Sequence, residues 1–154
     1  MSGTPTYRTW GRSRGSRLPR QVYTEGLPVH VILATAGRRP MFRDPELATS
    51  VHSWVSNSSE TLAACLMPDH LHWLLADASR MISQVQRFKS RSTLTARTQG
   101  LVGPLWQRSY WDHIVRRNEN LATITQYMLD NPVRAGLVKV ASDCPYRVER
   151  WMRL

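Results

Sequence analysis

The stretch TLAACLM-PD-HLHWLL, ending at Leu75, constrains this chain more than any other. Two apolar runs flank Pro68-Asp69, a pattern that reads as two strands joined by a tight connection. Proline can open a strand but interrupts the middle of one, so the break falls at Pro68. Successive side chains on a strand point to opposite faces. His70 and His72 therefore share one face, with Leu71 and Trp73 on the other. Two imidazoles about 7 Å apart along a strand can hold one metal ion. The ordinary alternative is a pair of packed histidines with one hydrogen bond each. An isolated H-x-H needs further ligands, and a reason for a metal, before the metal reading carries weight.

The rest of the chain supplies elements around this pair. PVHVILATAG, 28–37, reads as a strand ending at Gly37. Asp44 is expected to cap a helix with Pro45 at its first position. Leu47, Val51, Trp54 and Val55 recur at helical spacing in that helix. After the two strands, Ser79 is expected to cap a long helix running to about Arg97, with Met81, Val85 and Phe88 facing the core. A short strand follows near 113–115. Asn118 is expected to cap a last helix that stops around Asn131-Pro132. The order strand, helix, strand, strand, helix, strand, helix is close to a split β-α-β arrangement. It predicts an α+β fold with a ferredoxin-like antiparallel sheet. Leu121, Ile124 and Met128 form the core stripe of the last helix. Tyr127 and Asn131 lie about 40° apart on its face. On helix geometry alone, Tyr127 reads as a half-buried packing residue.

Charge narrows the partners. The chain has 154 residues, enough for one domain with a real core, and 21 Lys+Arg against 11 Asp+Glu give a net charge of +10. Lys89 and Lys139 are the only lysines. Arginine pairs bidentately with phosphate and stacks on bases, so the balance favours a polyanion such as nucleic acid. Residues 1–20 carry Arg8, Arg12, Arg14, Arg17 and Arg20 without an acid. This segment is expected to be a basic arm, disordered until bound, with residues 21–154 as the single domain. Arg80, Gln84, Arg87 and Arg91 make a basic stripe on the long helix, which is either a phosphate contact or a solvated face. Cys65 and Cys144 form no C-x-x-C, which argues against a disulfide scaffold or a zinc ribbon. No apolar run reaches the ~20 residues of a membrane helix, and no signal-peptide core is visible. These features lead us to expect a soluble protein of a reducing cytoplasm, near the nucleoid, with no membrane partner.

MPDHLHWLL, WQRSYWDH and YMLDNPVRAGLV together resemble the REP-associated tyrosine transposases, single-tyrosine HUH transposases of the insertion-sequence 200/605 type. The resemblance runs from about Tyr23 to Arg147, and LPVHVILATAGRRPMF, with His30, is similar to the family's first strand. It implies an HUH endonuclease fold in which a C-terminal helix carries the nucleophile, Tyr127. It implies that His70 and His72, with Asn131 one turn after the tyrosine, bind a divalent ion, magnesium or manganese. The implied reaction cuts single-stranded DNA near a hairpin such as a REP-like palindrome. It forms a 5′-phosphotyrosine and a free 3′-OH, and rejoins strands by reversal, in a monomer or a homodimer. Trp106 and Trp111 can stack bases, although core packing suits each equally. His113 is expected beside the site as a packing or DNA-contact residue. Two rivals remain: a domesticated protein that binds hairpins without cutting them, and a metal-dependent phosphodiesterase that uses water.

Overall fold

A computed structural model describes residues 25–150. The basic arm, and with it Arg12, Arg14 and Arg17, lies outside the described residues. The elements run β1 (Val29–Ala34), α1 (Pro45–Asn57), β2 (Thr61–Met67), β3 (His70–Leu75), α2 (Met81–Thr98), β4 (Trp111–Ile114), α3 (Leu121–Leu129), α4 (Asn131–Arg134) and β5 (Arg147–Glu149), with short 3-10 turns between. The strands form one antiparallel sheet in the order β4-β1-β3-β2-β5. The first four follow the ferredoxin-like order expected from the pattern of elements. The fifth, β5, is a strand that the sequence reading does not contain. Its three residues pair with the outer edge of β2, a partner that no local signal announces.

The two faces of the sheet have different tasks. Val29, Val31, Leu33, Leu71, Trp73 and Leu75 face α1 and α2, where Leu47, Val51, Val55, Met81, Val85 and Phe88 complete the main core. Each such buried side chain contributes about 1.5–3 kcal/mol. Polar groups inside it are satisfied: Trp73 Nε1 donates to Thr61 Oγ1 at 2.8 Å, and Thr61 Oγ1 donates to Val55 O at 2.7 Å. The opposite face carries His30, His70 and His72. α3 covers part of it through Ile124 and Met128, packed on Leu62, Ala63 and Leu74. Every residue of β1, β2 and β3 is buried, as a sheet covered on both faces requires.

Several local expectations are corrected. Asp44 caps α1 as expected, accepting from Glu46 N at 3.0 Å. Trp54, however, leaves the core face of that helix and is 42% exposed. Asp77, not Ser79, caps the turn leading into α2, accepting from the Ser79 backbone N–H at 2.9 Å. Asn120, not Asn118, caps α3, because its Oδ1 accepts from both Ala122 N and Thr123 N. α3 ends at Leu129, and a separate turn of helix, α4, begins at Asn131 with Pro132 inside it. That break lets a side chain from α4 fold back over the end of α3.

Candidate active site

The β2–β3 turn is fixed from outside the hairpin. Thr35 N and Thr35 Oγ1 both donate to Asp69 O, at 3.0 and 3.2 Å, and Phe42 N donates to Pro68 O at 2.9 Å. Arg38 pairs with the Asp69 carboxylate at 3.0 Å. Asp69 is thereby aimed at the first histidine, with 2.7 Å between its Oδ1 and His70 Nδ1. The hydrogen bond to His70 holds the Asp69 carboxyl down at about 2. Burial lowers the His70 pKa despite that partner, so the ring is neutral at pH 7 and Nδ1–H donates to Asp69. His70 Nε2 then carries the lone pair and faces His72.

His72 receives a matching arrangement from β1. Its Nδ1 lies 3.1 Å from His30 Nε2, and the two rings stack with centroids 5.3 Å apart. Burial also drives His72 well below the ordinary histidine range, with the neighbouring His70 and His30 adding to the effect. When His72 Nδ1 carries the proton and donates it to His30, Nε2 presents its lone pair as a ligand atom. The two Nε2 atoms stand 3.2 Å apart. Asn131 brings its side-chain amide to 2.8 Å from His72 Nε2.

These distances allow a direct test of fit for a divalent ion. Adjacent ligands on an octahedral ion with ~2.1 Å bonds are about 3 Å apart. The His70–His72 and Asn131–His72 separations both match such an edge. Two imidazole lone pairs facing each other at 3.2 Å also repel unless a proton or cation lies between them. Turning the Asn131 amide presents Oδ1 in place of Nδ2. Among the described residues, no group of three His, Cys, Asp or Glu side chains is arranged for a metal. The donor set that fits is two imidazoles and one amide, which leaves room for phosphate and water oxygens.

Tyr127 is half-buried on α3, one turn before Asn131. Arg134 ties the two together. Its Nη2 donates to Tyr127 O at 2.6 Å and to Asn131 Oδ1 at 2.8 Å, and Cζ lies 3.9 Å from the centre of the Tyr127 ring. The structure thus brings His70, His72, Asn131 and Tyr127 to one end of one sheet face.

The remaining expected residues divide. Trp111 is half-exposed on the edge strand β4, edge-on to His30 at 5.2 Å and stacked on His113 at 6.0 Å. It pairs with Ile32, which pairs in turn with His72, so it belongs to the same row of the sheet. His113 stands opposite His30 and contacts Glu119 Oε2 at 2.7 Å, as expected of a neighbour of the site. Trp106 is corrected: it is 4% exposed, packs on Phe42 and Phe88, and donates to Ser92 Oγ at 2.8 Å, so neither ring face is open to a base. Arg80, Arg87 and Arg91 lie across the sheet from the histidines. They line a groove of about 540 Å³ with Trp54, Gln84 and Phe88. Arg80 is paired with Glu60 at 2.9 Å, and Arg91 stacks over Trp54 at 5.0 Å. Sequence reasoning missed Asp69, His30 and Arg134 as supporting residues. Asp69 adjoins the histidine pair and Arg134 stands inside the YMLDNPVRAGLV block, so both were within reach. The contact of His30 with His72 depends on cross-strand register.

An antiparallel sheet with a paired-histidine face and a tyrosine-bearing helix over it is the architecture of a tyrosine transposase. Residues 23–131 match the family model for IS200-like transposases, and the chain belongs to that family. It is 30% identical to a Haemophilus influenzae protein carrying the REP-associated tyrosine transposase name, over 56% of this chain and 57% of that one. It is 29% identical to the REP-associated tyrosine transposase of Escherichia coli K12, over 56% of this chain and 52% of that one. The chain thus spans little more than half the length of these curated relatives. The fold superposes with a TM-score of 0.66 on a solved REP-associated tyrosine transposase bound to a REP hairpin, at 22% identity, covering 88% of this chain and 81% of the other.

Proposed function

We propose that this protein nicks and rejoins single-stranded DNA beside a hairpin, with Tyr127 as nucleophile and His70, His72 and Asn131 as ligands of magnesium or manganese. One observation carries the reading: two imidazoles and an amide meet at octahedral-edge distances, one helical turn from a tyrosine. The relatives of the REP-associated group support the substrate class, since one of them is described as bound to a REP hairpin.

Tyrosine has an ordinary pKa near 10, so its hydroxyl is a weak nucleophile at neutral pH. A divalent ion here would neutralise charge on the scissile phosphate and orient it. The chain itself supplies the positioning. Asp69 and His30 hold the two imidazoles with Nε2 forward, and the break between α3 and α4 sets Tyr127 beside Asn131. Tyr127 Oη attacks phosphorus and the bond to the 3′ oxygen breaks. The fragment on the 3′ side of the cut remains on the tyrosine through its 5′ phosphate, and the proton lost from the phenol is balanced by the proton gained at the 3′-OH. The ester conserves the bond, so reversal rejoins strands without a nucleotide cofactor. Trp111, at the rim beside His30, is suited to stacking a base next to the cut. Arg87 and Arg91 are suited to phosphates of DNA passing over the opposite face.

Incubating hairpin-bearing single-stranded DNA with the protein and manganese tests this. Nicking should depend on the metal and disappear in Tyr127→Phe, with hairpin affinity nearly unchanged. Equal nicking by Tyr127→Phe would move the nucleophile elsewhere, with Tyr110 and Tyr146 next.

A further inference from the structure

We propose that Arg134 is a catalytic residue that grips the non-bridging oxygens of the scissile phosphate and stabilises the charge that accumulates there during attack. The proposal rests on Tyr127 being the nucleophile and adds a group whose place in the reaction neither the metal ligands nor the tyrosine fills.

The geometry is specific. Arg134 is exposed on α4, yet its side chain turns back over the end of α3. Nη2 alone is anchored, on Tyr127 O and Asn131 Oδ1, and the Tyr127 O anchor remains when the Asn131 amide turns Oδ1 toward a metal. Among the described residues, no protein acceptor engages Nε or Nη1, whose three N–H groups lie on the remaining edges of a planar fork. The guanidinium carbon sits over the Tyr127 ring, 3.9 Å from its centre. Its positive charge is also felt at His72. The guanidinium is therefore held between the ring of the nucleophile and the ligand set, where a phosphate attacked by Tyr127 Oη must lie. Arg38, the other guanidinium beside the histidines, is already paired with Asp69. A residue that only capped the carbonyls of α3 could do so with any donor and would have no need to stack on the tyrosine.

The chemistry calls for such a group. A phosphodiester carries one negative charge, and the pentacoordinate transition state places close to two on the same oxygens. A fixed guanidinium binds the second state more strongly than the first, so it accelerates the step. The Tyr127–O–P bond forms, the P–O3′ bond breaks, and the phosphate charge returns to one in the ester.

The test compares a hairpin substrate bearing a normal scissile phosphodiester with one bearing a methylphosphonate at the same position. The methyl group replaces a charged oxygen, so the ground state is neutral and the transition state carries close to one negative charge instead of two, which removes the excess charge that Arg134 would neutralise. On the phosphodiester, Arg134→Ala should slow single-turnover adduct formation by about 100-fold or more, the size expected for one lost electrostatic donor. Hairpin binding should hold, and added guanidinium should restore part of the rate. On the methylphosphonate, Arg134→Ala and wild type should react at similar rates. Arg134→Lys keeps the charge, loses the fork and should fall between. It also serves as the test variant should Arg134→Ala not fold. Equal slowing on both substrates, or none on either, would overturn the assignment while leaving the tyrosine reading intact. Absence of any wild-type adduct on the phosphodiester would instead remove the tyrosine reading, and Arg134 with it.

Discussion

His30 is fully buried in β1, between His72 and Trp111, and burial, with His113 nearby as a lesser cause, lowers its pKa from 6.5 to about 3. Between those two values the unfolded chain binds a proton that the folded chain refuses, so stability rises with pH and falls as pH drops below about 6.5. His72 is shifted the same way for the same chief reason. Asp69 acts in the same sense, but only below about pH 4, where its unfolded carboxyl begins to protonate while the folded one stays ionised. In chelator, stability against denaturant should therefore fall from pH 6.5 to 5, by up to about 1.4 kcal/mol per pH unit for each suppressed histidine. His30→Gln should flatten that dependence. A wild-type profile that is flat across this range would contradict neutral burial of the pair. Asn131 offers a second test at this scale. Asn131→Ala should raise the manganese concentration needed for nicking and leave the metal-free melting temperature little changed. If its metal titration overlays the wild-type curve, Asn131 serves only the turn before Pro132.

α2 shows what an element can and cannot reveal on its own. Its apolar stripe, Met81, Val85 and Phe88, was legible because burial follows the 3.6-residue period. The basic stripe was legible as a stripe, but its place was not: it projects into the α1–α2 groove, away from the histidines. Arg80 is engaged by Glu60, so Arg87 and Arg91 are the members best able to meet phosphate. Neutralising both should shallow the salt dependence of single-stranded DNA binding by about 1.4 in log–log slope, at about 0.7 per contact. Adding the Arg80 change should add less than a full contact. An unchanged slope would make the stripe a solvated face. Caps were half legible for a related reason. Asp44-Pro45 admits one reading, whereas N-E-N offers two asparagines, and only the one whose oxygen reaches two N–H groups can win. Trp54 and Trp106 were exchanged in role because the type of an aromatic residue does not say which side of a helix or loop it closes. β5 was invisible because three residues hold no periodicity, and its stability comes from the open edge of β2.

At the scale of the molecule, the sheet sorts chemistry by face. The histidine pair was legible because a strand's alternation fixes which side chains share a side. The pairing of His72 with His30 was not, because register is a property of two strands. Tyr127 was identified through resemblance, since helix geometry alone makes it an ordinary packing residue. Arg134 then ties it to Asn131 across the α3–α4 break. The central claim is that this assembled end of the sheet makes a tyrosyl–DNA bond. Its most direct test is peptide mapping by mass spectrometry after reaction with a hairpin substrate and manganese. Tyr127 should carry the 5′-phosphorylated fragment, and the other fragment should end in a free 3′-OH. Nicked DNA with free 5′-phosphate ends from the outset and no adduct on any tyrosine would contradict the claim and make water the nucleophile.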